Sequence, residues 1–139
     1  MTARLVRPGL ALAIELPAGM ELEASGEAVA AARPGARLDL TAAPAVADAP
    51  VSTSRAVAGH LARLPAARVI DVAKAELASV AGTRVLLHHV GAEGATCLEE
   101  WRAVVAGLLV TLSAQCAAPA YDALADEHAA AAASLRVER

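Results

Sequence analysis

The sequence predicts an α+β fold, a mainly antiparallel sheet of about six or seven strands packed with two principal helices in the order βββαββββα, with residues 1–139 forming one domain. Three observations predict it. Short stretches near the start alternate large apolar residues with small or polar ones. A central block, 67–116, consists of aliphatic and β-branched runs broken at turns. Two further stretches, one on each side of that block, repeat their apolar residues at helical spacing.

Leu10, Leu12, Ile14 and Leu16 alternate as a strand does, and Pro17-Ala18-Gly19 ends the run. A second strand, from about Glu27 to Ala32, rests on a weak alanine pattern that Pro34-Gly35 punctuates. Leu38-Asp39-Leu40-Thr41 alternates again as a third. Residues 42–50 are rich in Ala and Pro without a period and read as a surface loop. Ser52, Thr53 and Ser54 offer N-caps for a helix whose Val57, Leu61 and Leu64 share one face, and Pro65 closes it.

A four-stranded meander is expected over 67–77, 82–91 and 96–116, separated by glycine-containing turns, with the last stretch folded at Ala106-Gly107. That two-residue turn sets Val105 against Leu108, Trp101 against Leu112 and Cys97 against Cys116. One face then carries Cys97, Trp101, Val105, Leu108, Val110, Leu112 and Cys116. Glu100, Arg102, Thr111, Ser113 and Gln115 form a wet outer face. After Pro119, residues 121–137 place Tyr121, Leu124, His128 and Leu135 on one stripe of a C-terminal helix, with Asp122, Asp126 and Glu127 early in it.

Composition narrows the function. A hydrophobic content of 57% suffices for one core, and a net charge of −3 with scattered Lys and Arg argues against a phosphate-binding surface. Trp101 and Tyr121 are the only aromatic residues, too few to stack nucleic-acid bases. The basic start followed by an apolar run fails as a leader because Glu15 interrupts it and Pro17 stops it. No run approaches the roughly 20 apolar residues of a membrane span. The expectation is a cytoplasmic protein without stable membrane insertion, and two cysteines without C-x-x-C spacing fit a reducing compartment.

The order of elements, from the Leu64-Pro65 helix stop through the Trp101 strand to the closing helix, resembles the DcrB/PsbP-like α/β/α sandwich family. The turn of Leu16, Pro17, Gly19 and Met20 after a first strand is similar to that group as well. The resemblance implies a family mostly without enzymes, including LpqN-like lipoproteins and EagR-type chaperones that shield hydrophobic segments of secreted effectors. For this chain it implies an adaptor or chaperone holding a hydrophobic or extended segment of another protein, such as an effector or a membrane-protein segment.

The residues able to do chemistry are few. His88 lands opposite Cys97 and hence near Cys116, ligand types that zinc accepts. Without C-x-x-C or H-x-x-x-H spacing, the preferred reading is two small buried thiols beside one exposed histidine, with no metal. The register disfavours a disulfide between Cys97 and Cys116, since it makes them a hydrogen-bonded pair. Glu99 and Glu100 point to opposite faces, so they cannot converge on one substrate. Glu99 falls on the Trp101 face, where a lone charge is costly, and an edge position or bulge is expected to return it to water. His60 and His128 sit on helices and are expected to hydrogen-bond to backbone. Gly91-Ala92-Glu93-Gly94 is a hairpin loop, and neither a P-loop, a dinucleotide fingerprint nor a nucleophile elbow occurs. No catalytic, cofactor or metal residue is assigned. A non-catalytic binding protein, homodimeric because a small sheet must pair or protect its edges, is the reading that follows, with a purely structural, homodimerising domain as the alternative and a small enzyme or metal-binding protein third.

Overall fold

A computed structural model describes residues 1–45 and 53–139. The chain runs β1 (Thr2–Arg7), β2 (Leu10–Glu15), β3 (Glu21–Ala24), β4 (Val29–Arg33), β5 (Ala36–Pro44), α1 (Thr53–Arg63), β6 (Arg68–Leu77), β7 (Val80–Gly91), β8 (Gly94–Val105), β9 (Leu108–Ala117), α2 (Tyr121–Ser134) and β10 (Arg136–Val137). A single 3-10 turn, Ala118–Ala120, leads into α2. Seven strands form one antiparallel sheet in the order β3-β4-β5-β9-β8-β7-β6, and β1, β2 and β10 form a small second sheet. The α+β class, the antiparallel main sheet and the two helices agree with the sequence.

Two-residue turns fix the registers. Pro8-Gly9 and Pro34-Gly35 each combine a proline, with φ preset near −65°, and a glycine at φ +80°, closing β1 on β2 and β4 on β5. Ala106 and Gly107, at φ 50° and 79°, close β8 on β9 with Val105 against Leu108, Trp101 against Leu112 and Cys97 against Cys116, as the sequence requires. The β6–β7 turn is Ala78-Ser79, both at positive φ, rather than a glycine turn. Gly82 instead lies inside β7, where a Cβ would stand 2.0 Å from the Arg102 carbonyl oxygen, so this close crossing of β8 tolerates only glycine.

The sheet's inner face is dry. Leu38, Leu40, Trp101, Val105, Val110 and Leu112 meet Leu5, Leu12 and Ile14 of the β1–β2 hairpin and the end of α2. Leu86, Cys97 and Cys116 continue this layer under Tyr121 and Leu124. On the outer face α1 covers a smaller patch, setting Val57 and Leu64 on Val85, Leu87 and Leu98. Among the described residues no helix is long and apolar enough to cross a membrane.

Several expectations need correction. β1 and β3 are strands that the sequence pattern did not supply. Thr2–Arg7 is a regular strand of alternating burial, whereas Glu21–Ala24 is exposed throughout and leaves no apolar period to read. The expected loop at 42–50 begins later, because Ala42–Pro44 continue β5 along β9; residues 46–50 of that loop, and capping by Ser52, lie outside the described residues. The last helix stops at Ser134. Leu135 is already extended, though buried in the core, and the chain then pairs with β2 as β10.

Candidate functional site

Strand β8 runs through the middle of the sheet with both faces covered around Glu99 and Glu100, and its side chains alternate between them. Glu99 and Glu100 therefore point in opposite directions, and each meets a histidine from the helix on its own side. Glu99 turns inward to His128 of α2, with Nδ1 3.3 Å from Oε1. Glu100 turns outward to His60 of α1, with Nε2 3.2 Å from its carboxylate.

The inner carboxylate is enclosed. Glu99 is 2% exposed, and besides His128 it accepts hydrogen bonds from Arg84 Nε at 2.5 Å and the Tyr121 hydroxyl at 3.0 Å. Arg84 also donates to Tyr121 Oη at 3.0 Å and to Asp71 at 3.1 Å, closing a ring whose outer members, Arg84, Tyr121 and Asp71, are partly or fully exposed. Burial pushes the Glu99 carboxyl up, but the bonds from His128, Arg84 and Tyr121 and the guanidinium charge outweigh it and hold the group below the usual carboxylate range. Burial, then the bond to Glu99, pushes the Tyr121 hydroxyl up to about 12. The expectation that an edge or bulge returns Glu99 to water is thus wrong: β8 is central and regular here, and charge pairing replaces hydration.

The outer carboxylate is held more lightly. Glu100 accepts a long bond of 3.4 Å from Ser113 Oγ and lies 3.7 Å from Arg102 Nε, while Arg63 reaches His60 Nδ1 at 3.3 Å. Glu100 is buried rather than part of a wet face, because α1 lies over it. Both histidines, expected to bond to backbone, bond to carboxylates, since in a central strand the backbone groups are already used by neighbouring strands.

Arg84 went unrecognised in the sequence, although a signal existed. The register that sets His88 against Cys97 sets Leu86 against Glu99 and Arg84 against Trp101, so Arg84 is a same-face diagonal neighbour of Glu99.

His88, Cys97 and Cys116 do share a row across β7, β8 and β9, and both cysteines are free, buried thiols. Burial, then the neighbouring Cys116 and Glu99, pushes the Cys97 thiol up to about 12, and burial raises Cys116 too, so neither is a nucleophile near neutral pH. Among the described residues no three His, Cys, Asp or Glu side chains converge to hold an ion. Neither histidine of the pair is exposed: His88 is half-buried, and His89 is buried on the α1 side with neither ring nitrogen hydrogen-bonded among the described residues. A shallow cleft of about 300 Å³ opens at the strand ends near Arg33, Arg37, Glu93 and Gln115. Its cations are already neutralised, Arg33 by Glu127 and Arg37 by Asp39 and Glu23.

Beyond α1 the outer face is less covered. On β5 and β9, Arg37 and Thr41 are exposed and Leu109, Thr111, Ser113 and Gln115 are half-exposed, with Val104 of β8 exposed beside them. This strip mixes hydroxyl, amide and aliphatic groups on a rigid sheet.

Neither a family model nor a curated protein matches the sequence. Solved structures do. The chain is similar to cyanobacterial PsbP (CyanoP) from Synechocystis sp. PCC 6803, with a TM-score of 0.69 and 14% identity over 91% of this chain and 86% of that one. It is also similar to LpqN, involved in cell envelope biogenesis of Mycobacterium tuberculosis, with a TM-score of 0.65 and 12% identity over 100% and 91%. A third likeness is to PA94 of Pseudomonas aeruginosa, a protein of unknown function described as a putative regulator, with a TM-score of 0.61 and 10% identity over 90% and 89%. At these identities the shared property is the fold.

Proposed function

From the PsbP-like fold of this chain, we propose a non-catalytic binding protein, an adaptor or chaperone that seats an extended or amphipathic segment of another protein on the outer face of its main sheet. The observation that carries this reading is the strip beyond α1, where Thr41, Val104, Leu109, Thr111 and Gln115 alternate polar and aliphatic contacts on rigid strands. Such a surface offers hydrogen bonds and apolar area together, as a polypeptide segment demands. The residues best suited to catalysis point the same way. Glu99, Arg84, Tyr121 and His128 satisfy one another beneath α2, which leaves them tied to the fold rather than directed at a substrate.

A photo-crosslinking residue placed at position 111 tests the reading in a lysate of the native host. A discrete polypeptide adduct is expected at 111 and none at Asp126, on the exposed side of α2. Turnover of a small molecule by the purified chain, with no polypeptide adduct at 111, overturns it in favour of an enzyme.

A further inference from the structure

The two edges of the seven-stranded sheet are built differently. At one end β3 has four residues, carries Glu21 and Glu23, and shifts register after Leu22, all features that discourage another strand from pairing there. At the other end β6 has ten residues and, among the described residues, pairs only with β7. Its one irregularity lies at Ile70, so Asp71–Leu77 continue in unbroken register. Val69, Ile70 and Val72 are 36%, 45% and 48% exposed along it. On the outer side α1, packed over β6 and β7, adds the exposed Leu61. A long edge with aliphatic side chains in water is a template for a further strand.

The charges of β6 select the strand. In order they are Arg68, Asp71, Lys74 and Glu76, alternating in sign. An antiparallel second copy reads the series with signs reversed and brings the basic start of each strand beside the acidic end of the other, whereas a parallel copy sets like on like. Two-fold symmetry about an axis normal to the sheet requires one residue of β6 to face itself. Asp71 would oppose two carboxylates, and it is already engaged by Arg84. Val72 would join two exposed aliphatic side chains. We propose that β6 is a self-pairing edge, at which two copies of this chain join antiparallel about Val72 and continue the sheet from one into the other. The inference stands independently of any cargo on the outer face.

Light scattering coupled to size exclusion tests it on the full chain. The expected mass is twice 14.0 kDa, falling to the single-chain value for Val72→Lys, which sets two cations at the axis, and unchanged for Leu22→Lys on the β3 edge. A second variant guards against misfolding. At the axis the two Cα atoms stand about 4.5–5.5 Å apart, within disulfide reach, so Val72→Cys links two chains under oxidised glutathione. Lys74→Cys does not, because its two copies lie about 13 Å apart along the strands. A single-chain mass for the wild type at millimolar concentration overturns the proposal. So does a dimer that survives Val72→Lys and shows no crosslink at position 72, and so does a β6 edge occupied only when a foreign peptide is supplied.

Discussion

Two neighbouring residues of one strand, Glu99 and Glu100, carry the same group and meet the same partner type, yet the two faces of the sheet treat them differently. On the inner side α2 is largely alanine, and Leu124, Ala131 and Ala132 supply little apolar area. Its seating depends on Glu99, which ties His128 and Tyr121 to Arg84 in one closed set. On the outer side α1 already has Val57 and Leu64 on an aliphatic patch, and the Glu100–His60 contact adds to a seating made by packing. A buried carboxylate thus becomes structurally decisive where the covering helix lacks large side chains, and auxiliary where it has them.

The sharpest way to break this contrast is to remove the inner carboxylate. Glu99→Ala leaves Arg84, Tyr121 and His128 without their shared acceptor and is expected to cost about 3–5 kcal/mol. Chemical denaturation measures it, and a loss no greater than that of Glu100→Ala would erase the difference between the faces.

Acid should expose the same asymmetry. The Glu99 carboxyl titrates below its ordinary range in the folded chain, so its contribution is complete at neutral pH and is lost as pH falls through about 4.3 and lower. Thermal midpoints followed into acid are expected to drop more steeply for the wild type than for Glu99→Gln, which has no proton to gain. Parallel curves would remove the carboxylate from the account.

The smallest effect is expected on the outer side. Glu100→Ala removes one helix contact and a long bond from Ser113, a loss of about 1 kcal/mol. Amide exchange localised to α1, with α2 unchanged, is the expected pattern, and simultaneous loosening of both helices would show that the faces are coupled.

Sequence reasoning reached β8 and β9, where a recognised turn pinned them, and missed β1 although Pro8-Gly9 closes it on β2. Ala106-Gly107 admits one pairing of β8 with β9, and each cross-strand partner follows from it. It did not reach β3, whose residues are all exposed and so carry no burial period. The histidine contacts were beyond it for a different reason. His60 and Glu100 are 40 residues apart, and His128 and Glu99 are 29 apart, each across a helix-to-sheet interface whose rotation no local pattern fixes. The opposite directions of Glu99 and Glu100 were legible, because a strand's period of two demands it. That both would remain buried was not, because it depends on which helices come to rest above them.

The pairing of β10 with β2 has a consequence during synthesis. Leu12 and Ile14 of the β1–β2 hairpin are fully buried, yet the third strand of their sheet, Arg136–Val137, is added only after nearly the whole of the intervening chain has been made. Glu138 then extends the closure, its backbone N–H donating to Ala11 and its carboxylate accepting from Arg4. A ribosome making this protein therefore holds out an early hairpin with an open apolar side while β3 through α2 emerge, an interval in which that surface is exposed to misassociation.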